Sequence, residues 1–175
     1  SILENLIKDE PKNYEAHLNL GVLWTELQNF NLAEKAYKAA IKIDGQDPNG
    51  HKNLGDLYQL NGMLELAVAS YQNASDTLSG NSEALASLLH LSSRLCKWDD
   101  HEAHKIMALN LGLKGPAVNP FGLIPLCDDP IIQLQRAKNW FNFKFGQIET
   151  LSQTHKNVKS KKIRLGYFSS DFNKH

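Results

Sequence analysis

The residues of this sequence that could do chemistry lie at its carboxyl end. Residues 163–168 form a compact apolar run of strand length, and the Ser-Ser-Asp segment 169–171 ends it with turn-favouring side chains. Because ligands of α/β domains bind beyond the carboxyl ends of strands, residues 169–175 lie where a site would form. His175 carries an imidazole whose ordinary pKa, about 6.5, lets it accept a hydroxyl proton at neutral pH. A single histidine is more simply explained as a solvated side chain, so this chemistry alone does not define a reaction.

Composition excludes several classes of function. The 175-residue chain carries 19 basic and 19 acidic residues, so it offers no net charge for binding nucleic acid or an anionic membrane. No run approaches the roughly 20 apolar residues of a membrane span. Cys96 and Cys127 lack the spacing of a zinc site or a disulfide framework. We therefore expect no metal, no nucleic acid or membrane partner, and a reducing, cytoplasmic environment.

The first half of the sequence repeats itself with a period of 34 residues. The shifted copies share nine identities without a gap: Tyr37 with Tyr71, His17 with His51, Asn19 with Asn53, Leu20 with Leu54, Gly21 with Gly55, Leu23 with Leu57, Leu32 with Leu66, Ala33 with Ala67, and Ala40 with Ala74. This period is that of the tetratricopeptide repeat, a helix-turn-helix unit that buries its apolar face against neighbouring units. We predict helices at about residues 14–28, 31–44, 48–60 and 63–78.

The residue types at the repeated positions fit such helical pairs. Gly21 and Gly55 remove a side chain where two helices cross closely, and Ala33 and Ala67 do the same on the second helix of each pair. Aromatic residues fill the space between layers: Trp24, Tyr58, Tyr37 and Tyr71. Asn61-Gly62 is a turn sequence and separates the helices of the second pair.

A third, degenerate helical pair follows at residues 82–96 and 98–113, in which Ser87 and Leu89 stand where Asn19 and Gly21 would recur. Terminal repeats drift in this way because their outer face meets something different. The predicted fold class is mainly α, a right-handed α-solenoid that runs into the first strand of an α/β domain. The predicted division is 1–11 for the end of a preceding repeat, 14–81 for two repeats, 82–115 for the third pair, 116–161 for a connecting loop and helix, and 162–175 for the start of a second domain.

The connecting segment contains several helix-breaking residues. Glycines and prolines between Gly112 and Pro125 exclude regular helix, but the apolar residues among them predict an ordered loop packed on protein. Asp128-Asp129-Pro130 then begins a helix, with an acidic N-cap beside a proline at the first helical position. Its predicted apolar stripe comprises Leu134, Ala137, Phe141, Phe145 and Ile148, broadened by Trp140. We interpret this stripe as ordinary core packing, in a helix that docks against a neighbouring domain.

Both ends of the sequence predict an internal fragment. Ile2, Leu3 and Leu6 have helical spacing up to Pro11, as in the last helix of a preceding repeat. The other end stops shortly after the strand-like run 163–168.

The carboxyl-terminal segment resembles a known family. Lys162 to His175, with the sequence Lys-Ile-Arg-Leu-Gly-Tyr-Phe-Ser-Ser-Asp-Phe-Asn-Lys-His, is similar to the first strand and loop of the protein O-linked N-acetylglucosamine transferases, which form glycosyltransferase family 41. Residues 96–100, 118–121 and 126–130 resemble the joint between repeats and catalytic domain in bacterial members. The resemblance implies a two-lobed, metal-independent transferase that uses a nucleotide sugar, UDP-N-acetylglucosamine, to glycosylate Ser or Thr of proteins. Most of the donor-binding residues would lie beyond residue 175.

The resemblance also implies roles for individual residues. His175 falls on the histidine of the family's Ser-Ser-Asp-Phe-x-x-His motif and would be an acid/base or positioning group, whereas Asp171 would cap the following helix or orient that histidine. Asn19 and Asn53 hold the sixth position of their repeats, where family members line the inside of the superhelix with asparagine. A primary amide offers a donor and an acceptor together, so these two residues would bind the backbone of an acceptor peptide. Solvation or local backbone capping explains them equally well.

Two other functions remain open. One is a tetratricopeptide scaffold that binds partner proteins without chemistry, although Leu18 and Val22 replace the Lys and Asn that a carboxylate-gripping scaffold needs. The other is a related protein O-fucosyltransferase with the same repeats. We expect the parent protein to transfer N-acetylglucosamine and the 175-residue chain alone to be inactive.

Overall fold

The computed structural model describes residues 7–77, 80–97 and 101–146. Residues 7–9 are helical, and the described residues after them contain seven α-helices, one 3₁₀-helix and no strand. The α-helices are α1 (Tyr14–Glu26), α2 (Phe30–Ile43), α3 (Pro48–Leu60), α4 (Leu64–Asp76), α5 (Ser82–Arg94), α6 (His101–Asn110) and α7 (Pro130–Phe145), and the 3₁₀-helix is Phe121–Leu126. The predicted strand 163–168 and His175 lie outside these ranges.

The four predicted helices of the first two repeats are confirmed, since α1 to α4 begin and end within two residues of the predicted bounds. α1 packs on α2 and α3 on α4, while α2 and α4 pack on the first helix of the next pair. Side-chain oxygens accept backbone N–H groups at the start of most helices and so satisfy donors that have no partner within the helix. The capping residues are Asn13, Asn29, Asp47, Asn81 and Asp129.

The turn inside each pair uses the same backbone conformation at intervals of 34 residues. Gln28, Gly62 and Cys96 have φ angles of 57°, 74° and 54°, which places all three in the left-handed region. Only glycine adopts this region without strain, because an L side chain crowds the following carbonyl there. The predicted Asn61-Gly62 turn is confirmed, and the first and third pairs make the same turn with a strained residue.

The main core lies between the stacked pairs, and a glycine–tyrosine contact recurs in it. Tyr37 and Tyr71 are 3% and 1% exposed. A Cβ atom on Gly55 would stand 2.7 Å from Tyr71 Cδ1, and a Cβ on Gly21 would collide with Tyr37. The glycines were predicted to permit a close helix crossing, and the group that approaches them is the ring of the second helix in the same pair. The buried residues of this core are Ala33, Tyr37, Leu54, Leu57, Tyr58, Ala67, Tyr71, Ala74, Ala84, Leu88 and Leu91.

Hydrogen bonds join the first two pairs. Tyr58 Oη donates to Glu34 Oε1 at 2.8 Å, and Gly50 N–H donates to Tyr14 Oη at 3.0 Å. Lys38 Nζ lies 2.6 Å from the same Glu34 oxygen. Its hydrogen bond, followed by that from Tyr58, lowers the pKa of the Glu34 carboxyl.

The connecting segment differs from the predicted loop in one respect, because residues 121–126 form a 3₁₀-helix with Pro125 inside it. Its i to i+3 bonding makes short turns, and the φ of about −65° that proline imposes fits the 3₁₀ range. The predicted packing on protein is confirmed. Val118, Leu123 and Leu126 are buried in a second core with Ala86, Leu89 and Ala108.

Helix α7 begins as predicted, because Asp129 Oδ1 accepts from the N–H groups of Ile131 and Ile132 and Pro130 is the first helical residue. Within the described residues the apolar stripe of α7 is not part of the core, and its predicted docking against a neighbouring domain stays a prediction. Leu134, Phe141 and Phe145 are 56%, 60% and 44% exposed, Ala137 is also exposed, and Ile148 lies outside the described residues.

The buried face of α7 is polar instead. Arg136 is fully buried, and its guanidinium donates to the carbonyl oxygens of Ala108 at 2.6 Å and Leu111 at 2.8 Å. Asn139 donates to those of Gly112 and Leu113. The carbonyl oxygens at the end of α6 and in the turn after it have no N–H partner within the helix. The side chains of Arg136 and Asn139 donate hydrogen bonds to them.

Candidate functional site

Two cavities share one wall along the first helices of the three pairs. The first, of about 380 Å³, lies between α1 and α3 and is lined by Val22, Thr25, Glu26, Tyr37, Asn53, Asp56, Leu57 and Leu60. The second, of about 340 Å³, lies between α3, α5, the 3₁₀-helix and α7 and is lined by Lys52, Asp56, Gln59, Glu83, Ala86, Ser87, His90, Asn119, Phe121, Gly122 and Trp140. Asp56 borders both cavities, so they form a continuous surface, which we call the groove.

Asp56 is the centre of a hydrogen-bonded network. Lys52 Nζ lies 2.9 Å from its Oδ2 and 3.7 Å from Glu83 Oε2, while Tyr71 Oη donates to its Oδ1 at 2.8 Å. Burial lowers the pKa of Lys52, but its hydrogen bond and charge interaction with Asp56, together with Glu83, outweigh burial and hold that pKa above its ordinary value. The ammonium therefore stays charged, and it holds both carboxylates on the groove wall.

Burial raises the pKa of Tyr71, and the charge of Asp56 raises it further. The phenol is consequently a permanent donor at neutral pH. Its ring is buried in the core while its hydroxyl donates to Asp56, so the core fixes the position of the Asp56 carboxylate on the groove wall.

The far end of the groove combines aromatic rings with an imidazole. Phe121 begins the 3₁₀-helix and is 73% exposed, and Trp140 of α7 lies on the same cavity. Gly122 lies against His90, because a Cβ atom added there would stand 3.0 Å from His90 Cβ. Nδ1 of His90 is buried and has no hydrogen-bond partner within the described residues. The groove thus ends in a pocket that offers aromatic faces and is bordered by the half-buried imidazole of His90.

Comparison with known proteins agrees with this architecture. A tetratricopeptide-repeat family model matches residues 1–57. The crystal structure of MamA aligns with a TM-score of 0.51 at 15% identity, covering 79% of this chain and 80% of MamA. That of YrrB, described as a TPR protein with an unusual peptide-binding site, aligns with a TM-score of 0.53 at 12% identity, covering 84% of this chain and 77% of YrrB. The described helices form a helical array of the tetratricopeptide-repeat type in fold. No curated protein matches the sequence.

The array places the two predicted asparagines differently. Asn53 lines the first cavity, whereas Asn19 is exposed and does not line either cavity of the groove. Within residues 7–77, 80–97 and 101–146, neither side-chain amide makes an intramolecular hydrogen bond. Their binding role stays a prediction, as does that of His175, which lies outside the described residues.

Asp56, Glu83, His90 and Phe121 are among the groove residues that the sequence did not predict as site residues. Asp56 and His90 follow the sixth repeat position by three residues, which puts them on the same helix face. This recurrence three residues after the repeated asparagine position could have identified Asp56 and His90, although the first repeat has the apolar Val22 there.

None of the described helices is long and apolar enough to cross a membrane. Nor does any cluster of three or more potential metal-ligating side chains occur in the described ranges.

Proposed function

We propose that the array binds an extended segment of a partner protein along the groove. The observation that carries this proposal is the continuity of the two cavities through Asp56, across the first helices of three successive pairs. Repeat arrays use such surfaces for binding because successive units present equivalent positions to one ligand. The peptide-binding site of YrrB, a protein with a similar fold, also supports it.

The chemistry of the first cavity suits a peptide backbone. Asn53 has an amide without an intramolecular partner among the described residues, and it stands beside the partly exposed Val22 and Leu60. An amide can donate to a carbonyl and accept from an N–H of any peptide, while the apolar neighbours exclude water from those bonds.

Filling the first cavity tests the proposal. Binders of the 175-residue chain are selected from a random library of displayed dodecapeptides, and their affinities for two variants are measured. Asn53→Trp places a large ring in the cavity and should abolish binding. Asn73→Trp makes the same exchange at an exposed position of α4 that does not line the groove, and it should leave affinity unchanged. If no peptide binds, or if both variants bind like the parent chain, the groove is not a peptide site.

We further propose that the chain is the acceptor-binding arm of a protein O-glycosyltransferase. The resemblance of residues 162–175, 96–100, 118–121 and 126–130 to family 41 supports this proposal. In the proposed reaction, a Ser or Thr hydroxyl oxygen bonds to the anomeric carbon of N-acetylglucosamine as the bond to uridine diphosphate breaks. His175 would take the hydroxyl proton or position the hydroxyl, and Asn19 and Asn53 would hold the acceptor backbone.

This second proposal has its own test in the parent protein. Incubation with radiolabelled UDP-N-acetylglucosamine and an acceptor protein should label the acceptor, and His175→Ala should remove most of that label. Transfer of fucose from GDP-fucose instead would identify the fucosyltransferase alternative. Labelling from neither donor would leave the scaffold function. Sugar transfer by the 175-residue chain itself would contradict the expectation that it is inactive alone.

A further inference from the structure

We infer that the groove selects a peptide in which an apolar side chain and a cationic side chain stand three residues apart. The inference rests on the proposed peptide binding and specifies its partner. It follows from the different linings of the two cavities and from the distance between them.

The first cavity suits an aliphatic side chain. Val22 of α1 and Leu60 of α3 are 39% and 62% exposed on its walls, and the buried Leu57 belongs to the same lining. These side chains come from separate helices, and an inserted aliphatic group would cover both of them. Burying apolar surface is the main source of favourable free energy in such contacts.

The second cavity suits a cation. Asp56 and Glu83 face a single ammonium group, that of Lys52, and their side chains remain 45% and 49% exposed. Glu26 adds another carboxylate in the first cavity. The groove thus carries three carboxylates against one ammonium, although the whole chain has as many basic as acidic residues. The excess negative charge is a property of this surface.

The aromatic wall favours arginine among cations. Phe121 is 73% exposed beside the carboxylates, and Trp140 lines the same cavity. A guanidinium stacks on an aromatic face while it donates to a carboxylate in its plane, a combination that a compact ammonium cannot match. The cavity provides both groups within one space of about 340 Å³.

The distance between the cavities sets the spacing of the two side chains. Each cavity lies between neighbouring first helices, and they share α3, so their centres are about 9 Å apart if the helices pack at the usual 8–10 Å. In the polyproline II conformation a peptide has three residues per turn with a rise of about 3.1 Å, so residues i and i+3 are about 9 Å apart on one face. A peptide in this conformation places its two side chains in the two cavities.

Labelled nonapeptides test the inference by fluorescence anisotropy with the 175-residue chain. An alanine-serine background carries Leu-x-x-Arg, the reverse order Arg-x-x-Leu, or adjacent Leu-Arg. Each of the two spaced peptides also has a counterpart with citrulline in place of arginine, which removes the charge and keeps the shape. One of the two orders at a spacing of three should bind about ten-fold more tightly than its citrulline counterpart, and about as much more tightly than adjacent Leu-Arg.

Matched variants locate the effect. Glu83→Gln and Phe121→Ala should each weaken the arginine peptide about three-fold to five-fold while changing the citrulline peptide little. Glu65→Gln and Phe141→Ala remove an exposed carboxylate and an exposed ring outside the groove, and they should have no effect.

Equal binding of arginine and citrulline peptides, with both still lost in Asn53→Trp, would overturn the inference and leave peptide binding intact. Equal weakening by Glu83→Gln and Glu65→Gln would also overturn it, because the charge effect would then not belong to the groove. Failure of every peptide in this panel and in the dodecapeptide library would reject both proposals.

Discussion

Replacing Tyr71 by phenylalanine tests how the core holds the central carboxylate of the groove. The Tyr71 ring is 1% exposed, and its hydroxyl donates to Asp56 Oδ1 at 2.8 Å and lies 3.0 Å from Gln59 Oε1. Phenylalanine keeps the ring, and with it the contact against Gly55, while it removes only the hydroxyl. Tyr37 offers a matched control one repeat earlier, because its hydroxyl lies 3.2 Å from the neutral hydroxyl of Thr25.

The charge of the partner decides the expected magnitude. A hydrogen bond to a charged group contributes about 1.5–3 kcal/mol to stability, and one between neutral groups about 0.5–1.5 kcal/mol. Asp56 is 45% exposed, so water replaces part of the lost bond and the lower end of the first range applies. We expect Tyr71→Phe to lower the free energy of unfolding by about 1.5 kcal/mol and Tyr37→Phe by about 0.5 kcal/mol.

Urea unfolding followed by circular dichroism at 222 nm measures both values, with equal slopes required for the comparison. The two variants have the same change in side-chain volume and keep the same glycine contact. The difference between their losses of unfolding free energy therefore measures the effect of the group that the tyrosine hydroxyl contacts. A Tyr71→Phe variant no less stable than Tyr37→Phe would refute the reasoning, because the Asp56 carboxylate would then gain nothing from the buried phenol.

Three further predictions concern the fold. Gln28→Gly should raise the free energy of unfolding by about 0.5–1 kcal/mol, because glycine relieves the strain of the left-handed turn, and a lower urea midpoint would contradict this. Arg136→Met should lower it by about 3 kcal/mol, because the carbonyls of Ala108 and Leu111 lose buried donors, and unchanged thermal unfolding would contradict that. Glu34→Gln should cost less than about 1 kcal/mol at pH 7, since the Glu34–Lys38 pair is partly exposed. Because the pKa of Glu34 is lowered, this contribution is fully present above its ordinary value of 4.5 and is lost as pH falls through the lowered pKa, so the difference between the two melting temperatures should shrink as pH falls below 4.5.

The repeats could be predicted from the sequence because their determinants are local and recur. Helix bounds, the turn at Gly62 and the close approach at Gly21 and Gly55 all follow from residue type and spacing, and the structure confirms them. The groove was only partly predictable. Asp56 and Glu83 come together through the packing of separate helices, and no periodic signal within one helix records that pairing.

Helix α7 illustrates a different limit of sequence reasoning. Its apolar periodicity predicted burial of Leu134 and Phe141, but the structure leaves both exposed and buries Arg136, with Asn139 half-buried beside it. A periodic pattern counts apolar residues and ignores the carbonyls that the end of a neighbouring helix leaves without donors. In α7 the face that is buried is the one whose side chains donate hydrogen bonds to those carbonyl oxygens.

The degenerate third pair has a physical reason that joins the fold to the groove. Tyr37 and Tyr71 require glycine on the facing helix, and the equivalent position of the third pair, 34 residues after Tyr71, is Lys105. Without a ring to accommodate, the glycine position becomes Leu89, which is fully buried against Val118 and Leu123 of the connecting segment. That exchange of partners brings the 3₁₀-helix onto α5 and sets Phe121 and Gly122 beside His90. The drift of the repeat therefore creates the aromatic end of the groove, and a regular third repeat with glycine and tyrosine at these positions would leave that end open.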